Sequence, residues 1–161
     1  MMISKGYHRR KLYETDKWSD DWGNRMIETL IQKAIEQMKF SYAPYSNFKV
    51  GAALLSKDGQ IFTGCNIENS AFGPSNCAER TAIFKAVSEG VRDFKMIAVV
   101  GGKDGVIEDY CPPCGVCRQV MAEFCDLDEF QVIVAKSMKD YKVFRLGELL
   151  PGAFSPKTMG R

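Results

Sequence analysis

The chain has 161 residues, 45% of them apolar and 26% charged, with a net charge of +2 from 22 basic and 20 acidic side chains. That length is most simply one domain, long enough to bury a core without disulfides. So even a charge balance argues against a phosphate-binding or membrane-surface protein, and no run approaches the roughly 18 apolar residues of a membrane span.

Residues 1–22 are polar with scattered aromatics and show no clean period. They predict an N-terminal extension, partly ordered at most. Its basic run, His8-Arg9-Arg10-Lys11, reads as a solvated tail. Trp18 and Trp22 are the side chains that would dock it on the body. The segment lacks the apolar core of a signal peptide, so a cytoplasmic, reducing setting is expected. The body then runs over 23–155 and a short tail over 156–161.

From Asn24, a candidate cap, apolar residues recur at helical spacing: Ile27, Leu30, Ile31, Ala34, Ile35 and Met38. Tyr42-Ala43-Pro44 marks the end of this helix. KVGAALLS (Lys49 to Ser56) and QIFTGCN (Gln60 to Asn66) flank Lys57-Asp58-Gly59, and an Asp-Gly between two β-prone runs predicts a hairpin. A Ser, Gly, Pro and Asn-rich loop leads to a helix from Cys77 to about Glu89, stopped by Gly90.

MIAVV (Met96 to Val100) does not alternate and reads as a strand buried on both faces. Glycines 101, 102 and 105 form a loop before a third helix around Val116 to Phe124. FQVIVA (Phe130 to Ala135) and YKVFR (Tyr141 to Arg145) are strands separated by only five residues. A parallel crossover needs about a dozen, so this pair should be antiparallel. Leu146 to Leu150 is a short segment before Pro151 and a loose tail. The order α-β-β-α-β-α-β-β predicts a five-stranded mixed sheet with helices packed on it, an α/β layer fold.

Six cysteines in a reducing compartment need an explanation other than disulfides. Cys114 and Cys117 have the two-residue gap that lets one turn of backbone present both sulfurs to one ion. Cys77 would add a third from another element. Three protein ligands leave a fourth position for water, the pattern of a catalytic zinc. Each block lies at the start of a predicted helix, where the dipole favours thiolates. Glu79, two residues after Cys77, could stand beside the fourth position as a general acid and base. The competing readings are a redox pair for the two-residue cysteine motif and a dipole-stabilising carboxylate for Glu79. A purely structural zinc wants a fourth Cys or His. Cys111 is the one nearby candidate, and Pro112-Pro113 stiffens the chain between it and Cys114.

The C-A-E and P-C-x-x-C blocks resemble the zinc nucleoside and nucleobase deaminases. With Cys77 at the first ligand position, the chain is similar to the small homotetrameric cytidine deaminases. The resemblance runs from about Ile27 to Phe154 through SYAPYSNFKVGAAL (Ser41 to Leu54), GCNIEN (Gly64 to Asn69), NCAERTA (Asn76 to Ala82), PCGVCRQ (Pro113 to Gln119) and LLPGAF (Leu149 to Phe154).

That resemblance implies a three-layer α/β/α fold with helices on both sheet faces, and one zinc per subunit on Cys77, Cys114 and Cys117. Glu79 would move protons between the water, N3 and the leaving ammonia. Phe48 would stack on the pyrimidine, Ala78 would meet the polar edge of the base through its backbone, and Asn66 and Glu68 would bind ribose hydroxyls. Arg80 would hydrogen-bond the thiolates, and Phe154 would reach a neighbour's site in a homotetramer with shared active sites. Without the resemblance, Phe48 reads as a core aromatic, Asn66 and Glu68 as turn caps, Phe154 as packing and Arg80 as an exposed helix residue. Cys65 and Cys125 read as small buried apolar residues.

The implied activity is hydrolysis of cytidine and deoxycytidine in pyrimidine salvage, with a small nucleoside as partner and neither nucleic acid nor membrane. The alternatives are a deaminase of a blasticidin-type cytosine antibiotic and, from another class, a structural zinc scaffold.

Overall fold

The computed structural model describes residues 20–160. The expectations for the basic run and Trp18 lie outside the described residues. Helix α1 (Asp20–Gln37) begins four residues before Asn24, which is therefore inside the helix and not its cap. Its first turn, Asp20-Asp21-Trp22-Gly23, holds a single apolar side chain, so an apolar period cannot reveal it. A 3₁₀ turn (Met38–Phe40) closes the helix, ahead of Pro44 as expected.

Strands β1 (Phe48–Ser56), β2 (Ile61–Cys65), β3 (Phe94–Lys103), β4 (Gln131–Ser137) and β5 (Asp140–Arg145) form one sheet in the order β2-β1-β3-β4-β5. β1 and β2 make the hairpin around Asp58-Gly59, with Leu55 opposite Ile61. Only β3 and β4 run parallel, and β4 and β5 are antiparallel as their five-residue separation requires. β3 continues past the predicted Val100, because Gly101 and Gly102 pair with Val50 and Lys49 of β1.

Helices cover both faces. On one side α1 buries Leu30, Ile31 and Ala34, and the 3₁₀ turn buries Met38, against Ala53, Leu55, Met96, Ala98 and Val100. On the other, α2 (Ala78–Ser88), α3 (Gly115–Phe124) and the short α4 (Leu146–Leu149) pack over Ala52, Leu54, Ile97, Val99, Val132 and Val134. Alternate residues of β3 feed opposite cores, which is why its sequence is apolar without alternation. Truncating a fully buried side chain here, Leu30 or Ile83 to alanine, should cost about 2–5 kcal/mol.

One glycine sets where α2 begins. A Cβ on Gly64 would lie 2.4 Å from the Ala78 carbonyl oxygen and 2.5 Å from the Ala82 nitrogen. The first turns of α2 therefore rest directly on β2, and a larger residue would lift the helix carrying Cys77 and Glu79. The C-terminal segment is better held than its polar sequence suggests. Pro156–Met159 is a 3₁₀ turn started by Ser155 with proline in its first positions. Gln119 of α3 donates to the Phe154 carbonyl (2.8 Å), and Lys157 pairs with Asp126 (2.8 Å).

Candidate active site

Cys77 is the residue immediately before α2, and Cys114 the residue immediately before α3. Both have extended backbone (φ −76°, ψ 155° and φ −67°, ψ 166°), and neither spends its side chain on capping. Cys117 lies buried in the first turn of α3. The three Sγ atoms all lie within 4.8 Å of one another, and those of Cys77 and Cys114 are 3.8 Å apart. Two thiolates bound tetrahedrally at about 2.3 Å should stand roughly 3.8 Å apart. The cluster thus fits one zinc ion and leaves a fourth position. It is the one group of three or more such donors among the described residues, and Cys111 is not in it.

The charges around the cluster are arranged for anionic sulfur. The Cys77 thiol is drawn down to about 5, first by the hydrogen bond it accepts from Cys117 and then, against its burial, by Arg80. Cys117 is pushed the other way because it holds the shared proton. Arg80 directs Nη2 at Cys77 Sγ (3.6 Å) and at the Ser75 carbonyl (3.3 Å), while its buried Nε has no partner among the described residues. Arg80 is therefore a partner of the thiolates and not an exposed helix residue.

Glu79 is only 4% exposed. Burial pushes its carboxyl up to about 7, the Cys77 charge adds to this, and hydrogen bonds from its own backbone and Cys117 oppose it. A dication on the thiolates would draw it back down.

A second constellation surrounds Phe48. Asn47 takes a left-handed φ of 55° immediately before it. Ser46 Oγ accepts from the Phe48 N–H (3.0 Å) and donates to Glu68. The Glu68 carboxylate also accepts from the backbone N–H groups of Tyr45 (2.9 Å) and Ser46 (3.2 Å). Asn66 clamps β1 from the other side: Oδ1 accepts from Val50 N–H and Nδ2 donates to the Phe48 carbonyl, both at 2.8 Å. Asn66 and Glu68 thus hold the loop, as turn-capping residues do, and Phe48 stands 39% exposed on it.

Gly101 brings Phe48 and Cys111 side by side. A Cβ there would lie 2.9 Å from Cys111 Sγ and 3.1 Å from the Phe48 ring. Burial pushes the Cys111 thiol up to about 11, with the charges of Glu79 and Cys77 contributing. Ala78, fully buried, opens α2. The Phe154 ring is 59% exposed, and Phe72, 71% exposed, packs edge-on against Tyr45 with centroids 5.9 Å apart. Cys65 is buried and donates to the Phe40 carbonyl, whereas Cys125 is only partly buried.

Sequence reasoning missed two residues. Arg118 of α3 donates from Nε to the Pro113 carbonyl and from Nη1 to the Leu149 carbonyl, both at 2.8 Å, so it ties the cysteine-bearing loop to α4. Tyr110 precedes that loop and donates its hydroxyl to Asp140 of β5. Arg118 lies inside the quoted PCGVCRQ block, but nothing local in the sequence tells which carbonyls it reaches.

Residues 24–134 match the family model described as the cytidine and deoxycytidylate deaminase zinc-binding region. The chain is 50% identical over 133 residues to a cytidine deaminase of Sporosarcina psychrophila, covering 83% of this chain and 94% of the relative. It is 50% identical over 132 residues to that of Halalkalibacterium halodurans, covering 82% and 96%. A solved cytidine deaminase from Burkholderia pseudomallei superposes with a TM-score of 0.71 at 47% identity, over 78% of this chain and 97% of that one. One from Mycobacterium tuberculosis gives 0.68 at 36% identity, over 84% and 98%.

Proposed function

This chain belongs to the cytidine and deoxycytidylate deaminase family, and on that premise we propose that it hydrolyses cytidine and deoxycytidine to uridine and deoxyuridine with release of ammonia. The observation that carries the reading is the buried Glu79 carboxyl, two residues after Cys77 and beside three thiols spaced for one ion. Cys77, Cys114 and Cys117 would hold one zinc per subunit. Zinc, when bound, makes water a competent nucleophile near neutral pH.

Glu79 takes one proton from that water and delivers it to N3 of the pyrimidine. It then carries a proton to the exocyclic amine as the C4–N bond breaks, so the two protons of water end on N3 and on ammonia. Phe48 stacks on the ring and the backbone of Ala78 meets its polar edge. Asn66 and Glu68 offer their remaining acceptor and donor capacity to the ribose. Arg80 offsets the negative charge of the thiolates through a charge-assisted bond.

The reading extends to a homotetramer with shared sites. The exposed aromatic side chains of Phe154, Phe72, Phe84 and Tyr42 support it, since neighbouring subunits would cover them. A cytoplasmic setting is supported by six cysteines that are all free of disulfides, and a role in pyrimidine salvage follows from the proposed reaction. Among the described residues no helix is long and apolar enough to cross a membrane.

The test mixes zinc-loaded protein with cytidine, deoxycytidine and a cytosine antibiotic in parallel and follows the ultraviolet change on loss of the amine. Turnover of the nucleosides is expected. Turnover of the antibiotic alone would move the substrate assignment, and no turnover with zinc bound would favour a scaffold. Light scattering should give the mass of four chains; a stable single-chain mass would refute the tetramer.

A further inference from the structure

We propose that Tyr110 is a positioning residue for the zinc site, holding the segment that carries Cys114 and Cys117 against the β4–β5 hairpin. The inference rests on the three-cysteine reading above.

Tyr110 is followed by Cys111-Pro112-Pro113-Cys114. Two consecutive prolines fix φ at residues 112 and 113, which leaves fewer backbone torsions to absorb a displacement between Tyr110 and Cys114. The Tyr110 side chain is held on three sides. Its hydroxyl donates to the carboxylate of Asp140, the first residue of β5. Its ring faces the ammonium of Lys142 at 4.2 Å and that of Lys136 at 5.1 Å. Lys136 is itself 3.8 Å from Asp140, so three charged hairpin residues gather as a clasp at one aromatic side chain. The body of the ring packs against the core shared with α3.

At the other end of the segment, Arg118 holds the Pro113 carbonyl. The chain from 110 to 113 is therefore pinned at both ends, and Cys114, itself exposed, takes its place from it. A clasp of this kind at the sheet edge adds little to global stability, because exposed ion pairs are weak. Metal affinity is more demanding, since a ligand set must keep its distances within about 0.2 Å. The arrangement therefore bears more on the metal than on the fold.

The test compares metal-free wild type with Tyr110→Ala, Tyr110→Phe and Asp140→Asn. Each is titrated with Co(II), read by the thiolate charge-transfer and d–d bands, and then with zinc in competition with a chelating indicator. Melts of the metal-free proteins establish that each is folded at the titration temperature. Tyr110→Ala should bind zinc about 10–100-fold more weakly, as loss of a ligand-orienting partner does, with altered d–d bands. Tyr110→Phe and Asp140→Asn should fall in between, because the ring stays against the lysines; if Tyr110→Ala does not fold, these two carry the test. Wild-type affinity and spectra in every folded variant would overturn the proposal. A wild type that binds neither metal would overturn the zinc site and the clasp together. A wild type that binds zinc without deaminating would refute the proposed chemistry alone, and the affinity comparison would still decide the clasp.

Discussion

Cys77 Sγ lies 3.8 Å from Cys114 Sγ although the two residues are 37 positions apart and each stands immediately before a different helix. The sheet brings two helix N-termini to one point, and the dipoles favour anionic sulfur there. Serine is a poor zinc ligand, so Cys77→Ser or Cys114→Ser should lower the zinc content from one per chain to well below half after dialysis. Elemental analysis of the dialysed proteins checks this; undiminished zinc in both would place the metal elsewhere.

Asn66 joins two backbone groups of β1 with one side chain. In Asn66→Asp the carboxylate still accepts from the Val50 N–H, but the Phe48 carbonyl loses its donor and faces a like-charged oxygen. The expected cost is about 1–3 kcal/mol in denaturant melts. Because the displaced backbone carries Phe48, KM for cytidine should rise more than kcat falls. Steady-state kinetics with unchanged KM would separate Asn66 from the substrate side.

Gly101 tests how tightly Phe48 and Cys111 pack. Gly101→Ala pushes a methyl group against Cys111 Sγ and the Phe48 ring, for an expected cost of about 1–3 kcal/mol and a raised KM. Cys111→Ala removes the nearer of these atoms. The double variant should therefore recover part of the loss, and a double-mutant cycle in melting and in KM measures it. Strict additivity would mean that the contact does not govern the site.

Burial of Cys65 and Cys125 raises both thiols, Cys125 to about 12. A raised thiol pKa leaves the neutral, unreactive form dominant at pH 8. Iodoacetamide on the native protein at that pH should leave both unmodified in peptide mass maps, and labelling should appear only on unfolding. Rapid native labelling of Cys125 would contradict its packing.

Much of this was legible in the chain. The apolar run of β3, the Asp-Gly hairpin and the short β4–β5 spacing each encode a local constraint. The cysteine blocks at helix starts encode a chemical one. The resemblance led to Phe48, Asn66 and Glu68, but not to how Asn66 and Glu68 are used within the fold. A side chain that bonds backbone groups 16 and 18 positions away leaves no local pattern. The same holds for Tyr110, whose partner is 30 positions on. The first turn of α1 escapes the apolar period because Trp22 is its only apolar side chain. The end of β3 was missed because Gly101 and Gly102 read as loop, whereas pairing with β1 holds them in the sheet.

The decisive measurement is Glu79→Gln, assayed for zinc content and cytidine turnover on the same preparation. The substitution keeps the shape of a buried side chain and removes its capacity to take and return a proton. If Glu79 carries the protons, the variant holds one zinc per chain in an unchanged fold and its kcat falls by at least about 10²–10⁴-fold. Full zinc with turnover near the wild-type rate would refute that role.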